Sequence, residues 1–402
     1  MRRRALLTGA ILAVLALGTA SGCGRDGSSN LGRGGSDSGP SVGVRGDEEG
    51  AAQDLGFPIF ATKNTTRIGG ADPVANAAGV ALAVFPSQTR GTRPAAVALV
   101  DGRDWRVGLA AAVLGSSPVR APILFSDGRD LPGATRDALA ALDPTGARSA
   151  GGAQVIRVGD VARPTGLRTA DLTAKDPFAL ARAVDAYHAA TRGRASRRVV
   201  VVSADAPAYG VPAAAWAAKA GDPVLFVRRD AVPEQTRAAL RSHDKPDIYV
   251  LGPPSVVSSG VLESLRSLGD VVRISGPDPI RNAIAFARFA SGSFGWGVVD
   301  PGHGLVLANV DRPLDAIAAT PLSAHGSYGP LLLVAGGDRL GPAVEAYLLD
   351  IRPGYRSDPV RGVYNHGWIV GDDRALGPTA QARLDELLEI EPVTEPSQGQ
   401  QP

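Results

Sequence analysis

One unit of sequence occurs three times in this 402-residue chain, and that periodicity constrains the fold more than any other feature. Asp-Pro pairs fall at Asp72-Pro73, Asp176-Pro177 and Asp278-Pro279, 104 residues from first to second and 102 from second to third. Each pair reads as a helix start. An Asp carboxylate accepts the orphan amides of a first turn, and Pro at the first helical position gives up an N–H that would have no partner there. Helical patterns follow at 76–82, 181–187 and 283–289. Short apolar runs at 96–100, 199–202 and 305–307 then predict buried strands. Acidic turn residues come next: Asp101 and Asp104, Asp205, and Asp311 and Asp315. Ala-rich helices are expected at 109–114, 213–220 and 316–324, and second strands after Pro122, Pro223 and Pro330. Second helices are expected at Pro132, Pro233 and Pro342, and third strands that close on Gly159, Gly252 and Gly371. Alternating helices and apolar strands predict an α/β fold with parallel sheets covered by helices. Units of about 100 residues are each large enough for a layered core.

The two ends read differently. Met1-Arg2-Arg3-Arg4 is a positive start, and residues 5–17 are an apolar run shorter than the ~20 residues of a spanning helix. Thr19-Ala20-Ser21-Gly22 then precede Cys23, the one cysteine of the chain. Small residues before a lone cysteine resemble a bacterial lipobox, in which the thiol is diacylglycerylated and the chain is cleaved before it. Ala20 stands where that motif usually has Leu. Export by the general or the twin-arginine route is open. The stretch 24–54 is rich in Gly, Ser and Asp and has too few apolar groups to offset its ordering entropy. The expected organisation is a signal peptide at 1–22, a lipid-anchored flexible tether at 23–62, repeats at 63–164, 165–268 and 269–389, and a disordered tail at 390–402.

Composition bears on what the chain can bind. With 42 Lys and Arg against 40 Asp and Glu, the net charge of +2 argues against a nucleic-acid binder. Removal of the signal takes three arginines away and leaves 39 cations against 40 anions. No global positive field remains, so attraction to an anionic polymer would have to come from local arginine clusters acting together. One cysteine excludes an internal disulfide and any cysteine-based metal cluster.

The repeated segments resemble the cell wall-binding repeat 2 family. Its units typically begin Arg-x-x-Gly-x-Asp, which appears here as Arg67-Ile68-Gly69-Gly70-Ala71-Asp72 and as Arg273 to Asp278. The family's following Arg-Tyr is replaced by Pro73-Val74, Pro177-Phe178 and Pro279-Ile280. Its Asp-Ala-Leu element survives best as Asp315-Ala316-Ile317. The resemblance covers roughly residues 65–389. It implies three tandem Rossmann-like repeats arranged with pseudo-threefold symmetry, non-covalent attachment to an anionic cell-wall polymer, and no catalysis.

The residues themselves offer little chemistry. There is no Gly-Lys-Ser/Thr, no His-Glu-x-x-His, and no Gly-x-Ser-x-Gly in the mature chain. No metal or cofactor is expected. His303, His325 and His366 all fall in the third copy; they could gather as metal ligands or an acid–base pair, or stand as exposed or loop histidines beside glycine, the favoured reading. Asp101, Asp104, Asp205, Asp311 and Asp315 lie just after strand ends, where open α/β sheets bind ligands and where Asp also forms turns and caps. Arg67 and Arg273 could bind a phosphate or carboxylate, or brace a neighbouring unit. These seven, with the capping Asp72, Asp176 and Asp278, are the candidate ligand-binding residues, and Cys23 is the candidate lipidation site. Trp105, Trp216, Trp296 and Trp368 could stack on sugars, but spread over three units they read as core or inter-unit anchors. The expectation is a non-enzymatic lipoprotein on the outer face of the cell membrane, associated with the wall. The alternative is a solute-binding lipoprotein of a transporter, although such proteins have two lobes around one cleft.

Overall fold

The computed structural model describes residues 59–393. The expected signal peptide, Cys23, most of the tether and the last nine residues lie outside the described residues. The strands are numbered β1–β15 along the chain.

Each unit builds the same sheet. In the first unit the order is β4 (Ile123–Ser126), β3 (Val97–Asp101), β5 (Val155–Val158) and β6 (Thr169–Leu172), all parallel. The second unit repeats it with β8 (Val224–Val227), β7 (Arg198–Ser203), β9 (Asp247–Leu251) and β10 (Asp270–Ile274). In the third unit β12 (Leu331–Val334), β11 (Gly304–Asn309), β14 (His366–Val370) and β2 (Thr65–Ile68) are parallel, and β1 (Ile59–Ala61) adds antiparallel outside β2. The inner strands are short and rich in Val, Leu and Ile. Most of their residues are buried because helices cover both faces.

The fourth strand of each sheet is the unexpected element. β6 and β10 belong by sequence to the second and third copies, yet they pair with the sheets of the first and second. β2, from the first copy, crosses the whole chain to pair with β14 of the third. The sheets therefore form a closed cycle of three, offset by one strand from the repeats at 63–164, 165–268 and 269–389. The reason lies in the edge: β5, β9 and β14 would otherwise present unpaired amides and carbonyls, and the start of the next copy covers them.

The capped helices form as expected. Pro73–Val84, Pro177–Arg192 and Pro279–Arg288 open with Asp72, Asp176 and Asp278 accepting the amides of Ala75, Ala179 and Arg281 at 2.9, 2.8 and 2.8 Å. The helices after the first strands, Trp105–Ala111, Pro212–Ala220 and Pro313–Ala318, pack against one another at the centre. A Cβ at Gly108 would sit 3.0 Å from Ile317 Cγ2, and one at Gly210 would sit 3.5 Å from Leu109 Cδ2. Backbones thus approach closely where the three units meet, and Leu109, Val211 and Ile317 are fully buried there.

Both expected disordered ends need correction. The tether does not reach residue 62, because β1 pairs with β2 and Thr62 and Asn64 hydrogen-bond to Asp385. At the other end β15 (Glu391–Pro392) pairs with β13 (Gly354–Tyr355), so the chain stays ordered past residue 390. Hydrogen bonding to a distant edge orders both segments, whose composition alone would not.

Candidate functional site

The opening motif of each repeat joins units. Arg67 lies on β2, buried beneath the loop that follows β14. Its guanidinium donates to the carbonyls of Gly371, Asp372 and Leu376 at 2.9, 2.8 and 2.7 Å, and its Nε donates to Gln381 Oε1 at 2.8 Å. Burial pulls its pKa down to about 10, against the opposing pull of Asp373 and Asp372, so it stays charged at neutral pH. Arg273 does the same on β10, donating to Gly252 and Val257 carbonyls at 2.5 and 2.7 Å. At the junction of the first two units the equivalent position is Asp171. There the arginine has moved across the ladder to its direct partner, Arg157, which pairs with Asp171 at 2.8 Å and donates to the Val161 and Ala162 carbonyls. Gly70 and Gly276 complete the motif. Added Cβ atoms would lie 2.7 and 2.4 Å from the backbone of the helix that follows. Their amides donate to Asn76 and Asn282, four residues past the capping aspartates. These two asparagines and Arg157 are junction residues that the sequence reading did not single out. The signal was present in the first and third copies, where Asn recurs at the same offset.

The acidic residues after the first strands sit together at the carboxyl ends of their sheets, but most are engaged. Asp101, Ser203 and Asn309 end equivalent strands, and each accepts the amide two residues on, at 3.0, 3.2 and 2.8 Å. Asp101 also takes the Arg103 fork at 2.9 and 2.7 Å. Burial works to raise its pKa, and those bonds outweigh burial and hold it below the usual carboxylate range. Asp104 caps Trp105–Ala111 and pairs with Arg106 at 2.8 Å. Asp315 is fully buried. It accepts from Asn76 Nδ2 of the first copy at 2.9 Å and lies 3.7 Å from Arg312, whose other carboxylate partner is Asp372 at 3.0 Å. Burial pushes Asp315 up. Asp205 and Asp311 are the exposed members, with Arg228 4.0 Å from Asp205. The ten candidates thus divide into junction residues, helix caps and a rim. The structure does not bring them into one site.

The histidines do not gather either. His303 faces Asp300 at 3.0 Å, His325 reaches the Gly115 carbonyl at 2.7 Å, and His366 lies 3.1 Å from Thr66. His325 and His366 each tie the third unit to the first copy. Two buried pairs join helix Pro177–Arg192 to other elements: His188 with Ser116 at 2.9 Å and His243 with Asp185 at 2.7 Å. Burial drives His188 down to about 4, whereas His243 is raised because Asp185 and the Ser196 carbonyl outweigh its burial. The tryptophans include inter-unit anchors. Trp105 meets Phe226 edge-on at 5.9 Å, and Trp216 meets Phe294 and Trp296 at 4.9 and 5.4 Å. Trp368 is half-buried against His366. Positive charge lies at the opposite ends of the strands, where Arg194 and Arg197 are exposed before β7.

Residues 172–262 match the family model of cell wall binding domain 2. A comparison with curated proteins finds no match. Among solved structures the chain is similar to Cwp6 from Clostridium difficile, with a TM-score of 0.66 and 17% identity, covering 81% of this chain and 48% of that one. It is also similar to Cwp8 from the same organism, with a TM-score of 0.63 and 17% identity, covering 81% and 52%. The chain therefore spans about half the length of each. At that identity the likeness speaks for the fold. The resemblance read from the sequence meets the family model in the second copy.

Proposed function

We propose that this chain is a non-enzymatic lipoprotein of the bacterial surface, anchored by lipid on Cys23 and bound through its three units to an anionic wall polymer. The match of residues 172–262 to cell wall binding domain 2 carries the reading. The threefold arrangement supports it physically. Three similar units in one compact body allow weak contacts to a repeating polymer to add, which a near-neutral protein needs. Within the acidic rim we assign ligand contact to Asp205 and Asp311, whose exposed carboxylates can accept from sugar hydroxyls. Arg67 and Arg273 then act by holding the units in register, and the capping aspartates by starting their helices.

The test is sedimentation of the full chain with purified cell wall, intact or stripped of its anionic polymers. Co-sedimentation with intact wall alone is expected. Equal sedimentation with both, or with neither, overturns the reading, and tight calorimetric binding of one small solute would favour a transporter component instead. In a parallel detergent partition, Cys23→Ser should move the protein from the detergent to the aqueous phase.

A further inference from the structure

The segment joining helix Pro177–Arg192 to β7 carries arginines at 192, 194, 197 and 198. All four line a single cavity of about 360 Å³ at the amino ends of the second sheet, with Asp247 and, from the third unit, Ser293. Two of the four are fixed by the fold. Arg192 donates to the Gly221 carbonyl at 2.9 Å, and Arg198 pairs with the buried Asp222 at 3.2 Å and reaches Ser293. Asp222 is itself held by Ser196 at 2.6 Å and Trp216 at 2.9 Å. The cavity floor is pinned as well: the Ser196 carbonyl meets His243 Nδ1 at 2.7 Å, and the Arg197 carbonyl takes the Asp247 amide at 2.9 Å. Arg194 and Arg197 are exposed, and neither forms an ion pair among the described residues.

Four guanidinium groups around one concave space repel one another, and an anion removes that cost. Asp222 neutralises one of them and Asp247 offers one further negative charge, so positive charge remains in excess. A carboxylate is planar and is satisfied by one arginine fork, whereas a phosphate presents oxygens in several directions and suits several forks at once. We propose that this cavity binds the phosphate groups of a phosphodiester-linked polymer, with Arg194 and Arg197 as the closing contacts on a seat fixed by Arg192 and Arg198. The inference rests on the wall-polymer reading and gives it a site and a chemical class.

The test is calorimetric binding of the full chain to poly(glycerol phosphate), with polygalacturonate as a carboxylate polymer of similar charge. Poly(glycerol phosphate) should bind and weaken as salt rises. The double variant Arg194→Ala/Arg197→Ala should lose roughly tenfold or more in affinity and show a smaller salt slope. Arg129→Ala/Arg229→Ala removes the same charge from the opposite ends of the strands and should bind as the parent does. Absence of binding by the parent, an unchanged double variant, equal loss in both variants, or preference for polygalacturonate each overturns the proposal. Wall sedimentation of the double variant separates the two readings. Retained sedimentation together with failed phosphate binding removes this site and leaves wall attachment standing, while a parent chain that sediments with no wall removes both.

Discussion

Single residues set how the fold answers to acid. His188 is buried against Ser116, with its pKa lowered to about 4 by desolvation and by the nearby charge of Arg192. Its folded pKa lies below its unfolded value, so its neutral form contributes stability that is complete above about 6.5 and is lost as pH falls toward 4. His325 and His366 are lowered for the same main reason, burial, and act in the same direction. His243 acts oppositely: its raised pKa favours the fold below about 6.5, and that contribution disappears as pH rises through the folded value. Between pH 6.5 and 4 the His188 slope approaches about 1.4 kcal/mol per unit. We expect His188→Gln to flatten the fall of the urea midpoint over that range. An unchanged slope would mean that His188 is not buried as a neutral imidazole.

At the scale of elements, the central helices depend on missing side chains. Gly108 faces Ile317 at a distance that leaves no space for a β-branched side chain. By propensity alone Gly108→Val should stabilise helix Trp105–Ala111 by a few tenths of a kcal/mol. Overpacking at the junction should cost about 1–3 kcal/mol and reverse the sign. Chemical denaturation should therefore give a lower midpoint for Gly108→Val, and the added change Ile317→Ala should recover part of the loss. Additive losses in the double variant would show that the two positions do not touch. The same logic explains why alanine dominates these helices. Small side chains let three backbones meet, and the larger Trp216, Phe286 and Phe294 gather off the centre, between the second and third units.

For the whole molecule, the decisive contact is the return of β2 to the third sheet. Arg67 and Gln381 are 314 residues apart, and their bond closes the cycle. Arg67→Ala leaves the Gly371 and Leu376 carbonyls without their donor inside the protein. Hydrogen bonds to a charged group contribute about 1.5–3 kcal/mol each in net terms, so a loss of at least ~2 kcal/mol is expected. Amide exchange should quicken in β14 and β2 well before it does in β9 and β10, because Arg273 still holds the second junction. Uniform exchange across all three sheets would show that the units unfold as one and that Arg67 is not a local latch.

What the sequence determined by itself is the local content of each unit. Helix starts were legible because Asp-Pro acts within a single turn, and inner strands were legible because burial on both faces demands continuous apolar runs. The near-constant spacing of those signals set the number of units. The tertiary structure decided the partners. Thr65–Ile68, Thr169–Leu172 and Asp270–Ile274 carry mixed polar and apolar residues that no local rule marks as strands, and their pairing depends on which sheet has an open side. It also separated the arginines by role. Arg67 and Arg194 carry the same charge, but one is buried under backbone carbonyls and the other faces water beside three more cations. Charge type is written in the chain. Whether a charge is spent on the fold or left for a ligand depends on contacts between residues hundreds of positions apart.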